Sequence, residues 1–181
     1  DVNYLAETSN AATITIAQRS QTLSFTSTIP SSPVSNGTYT PVAVSSELLT
    51  PTLSVTTSSV CSLSNGVVTF LTSGTCTVRA AQSGSSNVLT ATPIEQDIAV
   101  GMRNQNITFP AISDRNYGSP AFSAGASVDS DLPLTYTSAD TSVCTVGAST
   151  GMIQVKTDGT LTNTTCAITV SQASGDNRYA P

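Results

Sequence analysis

Apolar and polar residues alternate over short stretches along most of the chain, a period of two that is typical of half-buried β-strands. In the first half, the apolar positions of these stretches are Leu23, Phe25, Val42, Val44, Leu53, Val55, Cys76, Val78, Ala80, Ile94, Ile98 and Val100. In the second half, they are Ile107, Phe109, Leu134, Tyr136, Ile153, Val155, Cys166, Ile168 and Val170. Turn-forming clusters separate the stretches, among them Ser35-Asn-Gly37, Ser64-Asn-Gly66, Asp158-Gly159 and Ser174-Gly-Asp176. The pattern predicts an all-β chain folded into antiparallel β-sandwiches.

An internal repeat divides the chain. The sequence from Ile14 to Phe25 matches that from Ile98 to Phe109 at an offset of 84 residues. Further on, the surroundings of Cys61 and Cys76 match those of Cys144 and Cys166, and Asp1-Val-Asn-Tyr4 matches Asp176-Asn-Arg-Tyr179. A period of this length indicates an array of domain-sized modules. In 181 residues there is room for two sandwiches of under about 100 residues each.

The repeat predicts the domain boundaries. Residues 1–17 form an N-terminal strand segment, residues 18–101 a first domain and residues 102–181 a second domain. In each module the strand that carries the second cysteine turns, and the next apolar strand returns beside it as the last strand. By this reasoning the second domain lacks its last strand, and a short linker around Gly101 to Asn104 limits bending between the domains.

The four cysteines form two short-range pairs, Cys61 with Cys76 and Cys144 with Cys166. Neither pair has the Cys-x-x-Cys spacing of a zinc or redox site, so we interpret them as two disulfides. Cys76 and Cys166 share the parity of the inward-facing Val78 and Ile168, which places each bridge against a core. Disulfides persist outside the cytoplasm, so the sequence predicts an extracellular or cell-surface location.

Several motifs resemble the bacterial immunoglobulin-like repeats that occur in tandem in large secreted and cell-surface proteins. These motifs are Gln105-Asn-Ile-Thr-Phe109, Asp114-Arg-Asn-Tyr-Gly118, Leu132-Pro-Leu-Thr-Tyr-Thr-Ser138, Ser142-Val-Cys144, Cys166-Ala-Ile-Thr-Val-Ser-Gln172 and Gly175-Asp-Asn-Arg-Tyr179. The first module departs from the second of these, with Ile29-Pro-Ser-Ser-Pro-Val34 in its place. The resemblance implies two tandem immunoglobulin-like domains and no catalytic residue.

Residues Thr13, Ile14, Thr15 and Ile16 have the pattern of a last strand without a domain of their own. Three accounts of this segment stay open. It belongs to a longer array of which this is a stretch, or it is a donor strand that fills the vacant edge of another subunit's second domain. Alternatively, it is the first strand of the first domain.

Charge and composition exclude several classes of function. Only 9% of the residues are charged, the net charge is −5, and Lys and Arg total six. No basic stripe is available for a nucleic acid or an anionic membrane. No apolar run approaches the roughly 20 residues that would span a bilayer, so we expect no membrane span in this segment.

The chemistry of the side chains argues against an enzyme. The chain has no His, which removes the common hydrolytic triad, and bridged cysteines leave no thiol nucleophile. Asp129-Ser-Asp131, with Asp114 and Asp140, is the one acid–base or Ca²⁺ option, and we interpret these residues as turn formers. We therefore predict no catalytic, cofactor-binding or metal-binding residue.

Aromatic residues and sequons add little. Phe25, Phe109 and Tyr136 alternate with polar residues and are expected in the cores, which leaves Tyr4, Tyr39, Tyr117 and Tyr179 as the candidates for a sugar-stacking surface. Three sequons begin at Asn36, Asn106 and Asn163. Asn106 is expected within a strand, so Asn36 and Asn163 are the candidates for glycosylation.

Two functions are consistent with these expectations. The first is a structural module of an extracellular surface fibre, a stalk or pilus-like filament, whose partners are copies of itself or neighbouring immunoglobulin-like modules arranged head to tail. The second is an adhesin-type binding module that recognises a glycan or a surface protein through the loops Asp114 to Ala121 or Ser127 to Leu132.

Overall fold

The computed structural model describes residues 12–130, 132–156, 164–172 and 176–180. Its described residues form strands joined by turns and no helix, so no helix there is long and apolar enough to cross a membrane. The all-β class predicted from the sequence is confirmed. The strands of the first half are β1 (Leu23–Phe25), β2 (Thr38–Tyr39), β3 (Ala43–Ser45), β4 (Thr52–Val55), β5 (Cys61–Ser64), β6 (Val67–Phe70), β7 (Gly74–Ala81) and β8 (Ile94–Val100). Those of the second half are β9 (Ile107–Thr108), β10 (Phe122–Ser123), β11 (Ser127–Val128), β12 (Thr135–Ser138), β13 (Cys144–Val146), β14 (Met152–Val155) and β15 (Ile168–Ser171).

Two three-stranded sheets face each other in the first half, and both are antiparallel. One has the order β2-β6-β5 and the other has the order β4-β7-β8. A β1–β3 pair completes this half. Between the sheets lies a core in which Val68, Phe70, Val78 and Ile98 are at most 1% exposed. The result is a sandwich-like unit with a closed apolar core.

The second half repeats these pairings with shorter strands. Its sheets have the orders β10-β14-β13 and β12-β15, and β9 pairs with β11. The core is smaller and is built around Ala124, Tyr136, Cys144 and Ile153. Nothing in the described residues of this half occupies the place that β8 has beside β7.

One disulfide joins the two facing sheets in each half. Cys61 on β5 is bridged to Cys76 on β7, with 5.7 Å between their Cα atoms. Cys144 on β13 is bridged to Cys166, which lies two residues before β15, with a Cα separation of 6.0 Å. The structure therefore contains two disulfides, one in each half, as the sequence predicts. Because each bridge crosses between sheets, it ties the sandwich together through its core.

The hairpin between β5 and β6 shows how local sequence sets the chain path. Asn65 and Gly66 both have positive φ, at 50° and 79°. Two consecutive positive values suit the tight turn that matches the twist of antiparallel strands, and Asn followed by Gly tolerates them best. The Ser64-Asn-Gly66 cluster is therefore a hairpin turn, and it brings Leu63 opposite Val68.

The sequence-based register of β3 is wrong by one residue. Alternation predicted that Val42 and Val44 face the core, but they are 47% and 43% exposed. The inward residue is Ser45, which is 5% exposed. The reason is a hydrogen bond of 2.6 Å that the Ser45 hydroxyl donates to Oε1 of Gln21. A buried polar pair sets the register here and leaves the two valines outside.

Both halves contain the same buried glutamine network. Gln21 Nε2 donates to Oε1 of Gln82 and to the carbonyl oxygen of Leu89. In the second half, Gln105 Nε2 donates to Oε1 of Gln172 and to the carbonyl oxygen of Ala180. The hydroxyl of Ser130 donates to Gln105 Oε1 over 2.6 Å, as Ser45 does to Gln21. The internal repeat is thus a repeat of polar contacts as well as of sequence.

Candidate functional site

A groove opens between the sheets of the second half. Its volume is about 750 Å³. Its apolar lining residues include Phe109, Phe122, Ile153, Val155, Cys166 and Ile168, and polar residues of the segment 113–116 and of 164–165 line it as well. A groove that presents apolar side chains beside a strand edge is suited to receive an extended peptide with alternating apolar side chains.

The groove lies beside an edge of β15 that has no paired strand in the described part of the chain. β7 pairs with β4 on one side and with β8 on the other, whereas β15 pairs with β12 and with no second strand among the described residues. A free edge leaves a row of backbone amides and carbonyls available for pairing. We name this edge, with the groove beside it, the acceptor edge.

Burial shows what the missing neighbour changes. In the first half Cys76, Val78 and Ala80 are fully buried at 0% exposure. The residues at the corresponding positions of the second half, Cys166, Ile168 and Val170, are only half-buried. Phe109, expected in the core, is 37% exposed, as is Ile107. In the described part of the second half, no strand covers these apolar residues as β8 covers their counterparts in the first half.

An arginine lies over part of the exposed groove. The guanidinium carbon of Arg115 is 4.5 Å from the ring centre of Phe122, within the range of a cation–π contact. Phe122 pairs with Ile153 as Tyr39 pairs with Val68, so Phe122 is the counterpart of Tyr39. The motif Asp114 to Gly118, singled out in the sequence, supplies this arginine and one wall of the groove.

The candidate donor residues Thr13 to Ile16 lie on the surface of the first half. They form no strand in the structure, and Ile14 and Ile16 are 84% and 91% exposed. Two isoleucines this exposed and only two residues apart form a small apolar patch on the surface. The structure does not bring them to the acceptor edge of the same chain.

The carboxylates have structural partners rather than a shared site. Asp129 accepts a hydrogen bond of 2.9 Å from the backbone N–H of Asn106, and Asp140 accepts hydrogen bonds from the side chain and backbone of Ser142. These bonds from Ser142 hold the pKa of Asp140 below its ordinary value of 3.8. Asp131 lies outside the described residues. No group of three or more Cys, Asp or Glu side chains that could hold a metal ion occurs in the described part of the chain.

The aromatic candidates for a sugar-binding surface are mostly buried. Tyr39 is 6% exposed and Tyr179 is 4% exposed, so they cannot offer a ring face to a sugar. Their hydrogen-bonding and cation–π contacts give them structural roles. Tyr117 is 44% exposed and lines the groove. Tyr4 lies outside the described residues.

Of the three sequons, two begin at described residues. Asn36 is exposed in a turn with a φ of 65°, consistent with an accessible acceptor. Asn106 lies one residue before β9 rather than within a strand, and its backbone is held by Asp129. Asn163 lies outside the described residues.

Sequence reasoning also missed a loop that joins the two halves. Residues 176–180, the junction loop, belong to the second half, yet they contact the first. The hydroxyl of Ser35 donates to the carbonyl oxygen of Arg178 over 2.5 Å. The backbone N–H of Ser73 donates to the carbonyl oxygen of Asn177 over 2.8 Å. In a chain so rich in Ser and Thr, nothing in the sequence distinguishes Ser35 and Ser73 from the other serines.

The junction loop is itself held by an ion pair. Arg178 Nε lies 2.5 Å from Oδ2 of Asp176. Partial burial raises the pKa of Asp176, but the hydrogen bonds and positive charge of Arg178 outweigh this effect and keep the pKa below its ordinary value. The loop therefore presents the Arg178 carbonyl to Ser35 in a fixed geometry.

No protein-family model matches the chain, and no curated protein matches it. The site has to be interpreted from its geometry. That geometry consists of an open strand edge with an apolar groove at one place and a hydrogen-bonded junction between two similar halves at another.

Proposed function

We propose that this chain is a structural part of an extracellular surface fibre, a stalk or filament in which immunoglobulin-like domains are joined head to tail. The observation that carries the proposal is the junction between the two halves. Gly101 is bridged to Val34 of the first half, and Arg103 is bridged to Tyr179 of the second. A single residue, Met102, separates these two anchored positions.

Such a short connection restricts the angle between the halves. A flexible linker needs several residues that are free of hydrogen bonds, because each extra residue adds conformational freedom. Here the connection is one residue long, and the Ser35 and Ser73 hydrogen bonds to the junction loop close the other side. Because Ser35 and Ser73 lie in two different loops of the first half, their contacts resist bending in more than one direction. A stalk requires such resistance to bending between its domains, whereas a pair of independent binding domains does not.

The disulfides support a location outside the cytoplasm. Reduced thiols are the rule in the cytoplasm, whereas small β-domains in oxidising compartments commonly use a bridge to stabilise a modest core. Each bridge closes a loop, with sequence separations of 15 and 22 residues. Closing loops of this size stabilises a domain by about 3 kcal/mol.

The adhesin alternative gains no support from the residues proposed for it. Asp129 is engaged with the backbone of Asn106, and the loop from Asp114 is accounted for by its position beside the acceptor edge. A glycan array probed with the chain and with Asp129→Ala discriminates the two functions. Specific binding that is lost in this variant would favour the adhesin.

The fibre itself is tested by immunogold electron microscopy of cells that produce the natural protein. Antibodies raised against the folded chain should label filaments on intact cells, at repeated points along their length. Cells treated with antibodies to an unrelated cytoplasmic protein are the control for leakage. Label that is seen only after the cells are permeabilised would refute the proposal.

A further inference from the structure

We propose that the acceptor edge binds a β-strand and that its occupant is the segment Ala12 to Ala17 of a second copy of this chain. The inference rests on the proposed fibre, for which it names the contact between successive subunits. Its basis is the equivalence of this segment with β8, together with a set of matched substitutions on the two sides of the interface.

The equivalence is fixed by two anchor residues. The backbone of Arg19 is bridged to Val88, with its N–H donating to the Asn87 carbonyl over 2.9 Å. Arg103 is bridged to Tyr179 in the same way, with its N–H donating to the Arg178 carbonyl over 2.7 Å. Each arginine is the point at which a half of the molecule begins. The segment before Arg19 therefore corresponds to the strand before Arg103, which is β8.

This correspondence gives the register of the docked strand. Within the first half, Ile98 lies opposite Cys76, and Val100 lies opposite Gly74. Ile14 and Ile16 precede Arg19 by the same distances as Ile98 and Val100 precede Arg103. In the second half, Cys166 and Thr164 take the places of Cys76 and Gly74. Docking thus places Ile14 opposite Cys166 and Ile16 opposite Thr164.

A first matched substitution identifies the segment. In the first half the hydroxyl of Tyr39 donates to Oε1 of Gln96 over 2.7 Å, which satisfies an inward-facing amide on β8. In the second half Phe122 replaces Tyr39 and has no hydroxyl. The residue of the N-terminal segment that corresponds to Gln96 is Ala12, which needs no partner. The polar pair is replaced by an apolar pair on both sides at once.

A second matched substitution lies on the solvent-facing side of the two strands. Thr77 on β7 donates to Asp97 on β8 over 2.6 Å. The corresponding positions are Ala167 beside β15 and Thr13 in the segment. A strand that carried Asp97 would find no hydroxyl donor at Ala167, whereas Thr13 carries no charge.

A third pair of positions is charged in the first half and uncharged on both sides of the proposed interface. Arg79 and Glu95 face each other across β7 and β8, with 3.9 Å between Nε and Oε1. Thr169 takes the place of Arg79, and Ala11, which lies outside the described residues, corresponds to Glu95 in sequence. The acceptor edge therefore matches the N-terminal segment better than it matches β8.

Docking has a clear driving force. Ile14 and Ile16 are the most exposed apolar pair of the segment, and the groove holds half-buried apolar residues that lack a cover. Burying both isoleucines removes apolar surface from water on each side of the interface. In this register the backbone of the segment would lie opposite residues 164–168, which lead into β15.

The test uses the full chain with Ile14→Asp and Ile16→Asp, so that its own segment does not compete, and a synthetic peptide of residues 10–19. Calorimetry should show one peptide bound per chain, and hydrogen exchange should slow at the amides of residues 164–168, which lie opposite the docked segment. A peptide that carries the same two substitutions should not bind. A peptide of residues 94–101, the sequence of β8, should bind about tenfold more weakly or worse, because its polar side chains lack partners.

The register is tested by disulfide trapping. A peptide with Thr13→Cys should crosslink to a chain with Ala167→Cys, because these positions correspond to the directly opposed Thr77 and Asp97. The matched control is Thr169→Cys, two residues further along the same exposed face, which should not crosslink.

The outcomes separate the two proposals. Absence of peptide binding, or a β8 peptide that binds as well as the N-terminal peptide, would overturn the assignment of the occupant. Crosslinking through position 169 instead of 167 would overturn the register. A peptide that binds as described, in a protein that is found only inside cells, would uphold the strand contact and refute the fibre.

Discussion

Gln21 and Gln105 make the same hydrogen bonds in the two halves of the molecule. Each amide nitrogen donates to a backbone carbonyl near the end of its half, that of Leu89 at 2.7 Å and that of Ala180 at 2.8 Å. Each amide oxygen accepts from a serine hydroxyl at 2.6 Å. An amide with both of its groups satisfied ties the residues just before the first strand of a half, β1 or β9, to the loop that follows β7 or β15.

Replacing either glutamine should destabilise the half in which it lies. Gln21→Ala or Gln105→Ala removes the acceptor of a buried serine hydroxyl, Ser45 or Ser130, and the donor to a backbone carbonyl, which costs about 1–3 kcal/mol. Urea denaturation followed by hydrogen exchange in each half measures the loss separately. Gln154→Ala, at an exposed position, is the control and should change the free energy of unfolding by less than about 0.5 kcal/mol. Equal effects of all three substitutions would show that the network contributes nothing.

The two disulfides should differ in their accessibility to reductant. Cys61 and Cys76 are both at 0% exposure, whereas Cys166 is half-buried beside the acceptor edge. Thiol–disulfide exchange needs access to a sulfur atom, so Cys144–Cys166 should be reduced first. Alkylation of samples taken during reduction, followed by mass spectrometry, gives the order. Simultaneous reduction, or earlier loss of Cys61–Cys76, would contradict the open groove.

Gly151 should tolerate a side chain less well than Gly118. Both have positive φ, at 64° and 73°, so alanine at either position is strained by about 1–2 kcal/mol. A Cβ atom at Gly151 would lie 2.7 Å from the ring of Tyr136, whereas at Gly118 it would meet nothing within 4 Å. Gly151→Ala should therefore destabilise the fold by about 1–3 kcal/mol more than Gly118→Ala, because overpacking a core has a cost of this size. Equal urea midpoints for the two variants would show that Tyr136 does not pack on Gly151.

Asp140 should make stability depend on pH in acid. The hydrogen bonds from Ser142 lower its pKa in the folded state, so its contribution is complete above the ordinary value of 3.8 and is lost as the pH falls through the lowered value. A titration followed by NMR should place the pKa of Asp140 below its ordinary value of 3.8. In Asp140→Asn the acid-dependent part of this contribution should disappear. An unchanged acid profile in this variant would contradict the role of the Ser142 bonds.

The sequence predicts the fold class well because strand alternation and paired cysteines are local signals. The Asn65-Gly66 turn and the inward positions Cys76 and Val78 are where the pattern places them. The register of β3 differs from the one that the pattern predicts, because the hydrogen bond from Ser45 to Gln21 outweighs the burial of two valines. Nothing about Ser45 in the sequence indicates this bond. Alternation alone cannot weigh a buried hydrogen bond made by a residue 24 positions away.

The candidate site is only partly visible in the sequence. The repeat predicts a vacant strand position in the second half, but the exposure of Phe109 and the contact of Arg115 with Phe122 depend on how the sheets separate when that position is empty. The junction is hidden for a different reason. It depends on a backbone carbonyl of Arg178, and main-chain groups leave no signal in the residue sequence.

Residual dipolar couplings of the isotope-labelled chain report the orientation of each half separately, so they show whether the two halves are modules held in series at a fixed angle. We expect a single alignment tensor for both halves and a loss of this agreement in Ser35→Ala, which removes the bond to Arg178. Ser27→Ala, which removes a hydrogen bond to Tyr39 within the first half, is the control and should preserve it. Two unrelated tensors in the unaltered chain would show that the halves tumble independently, and that result would contradict a rigid stalk.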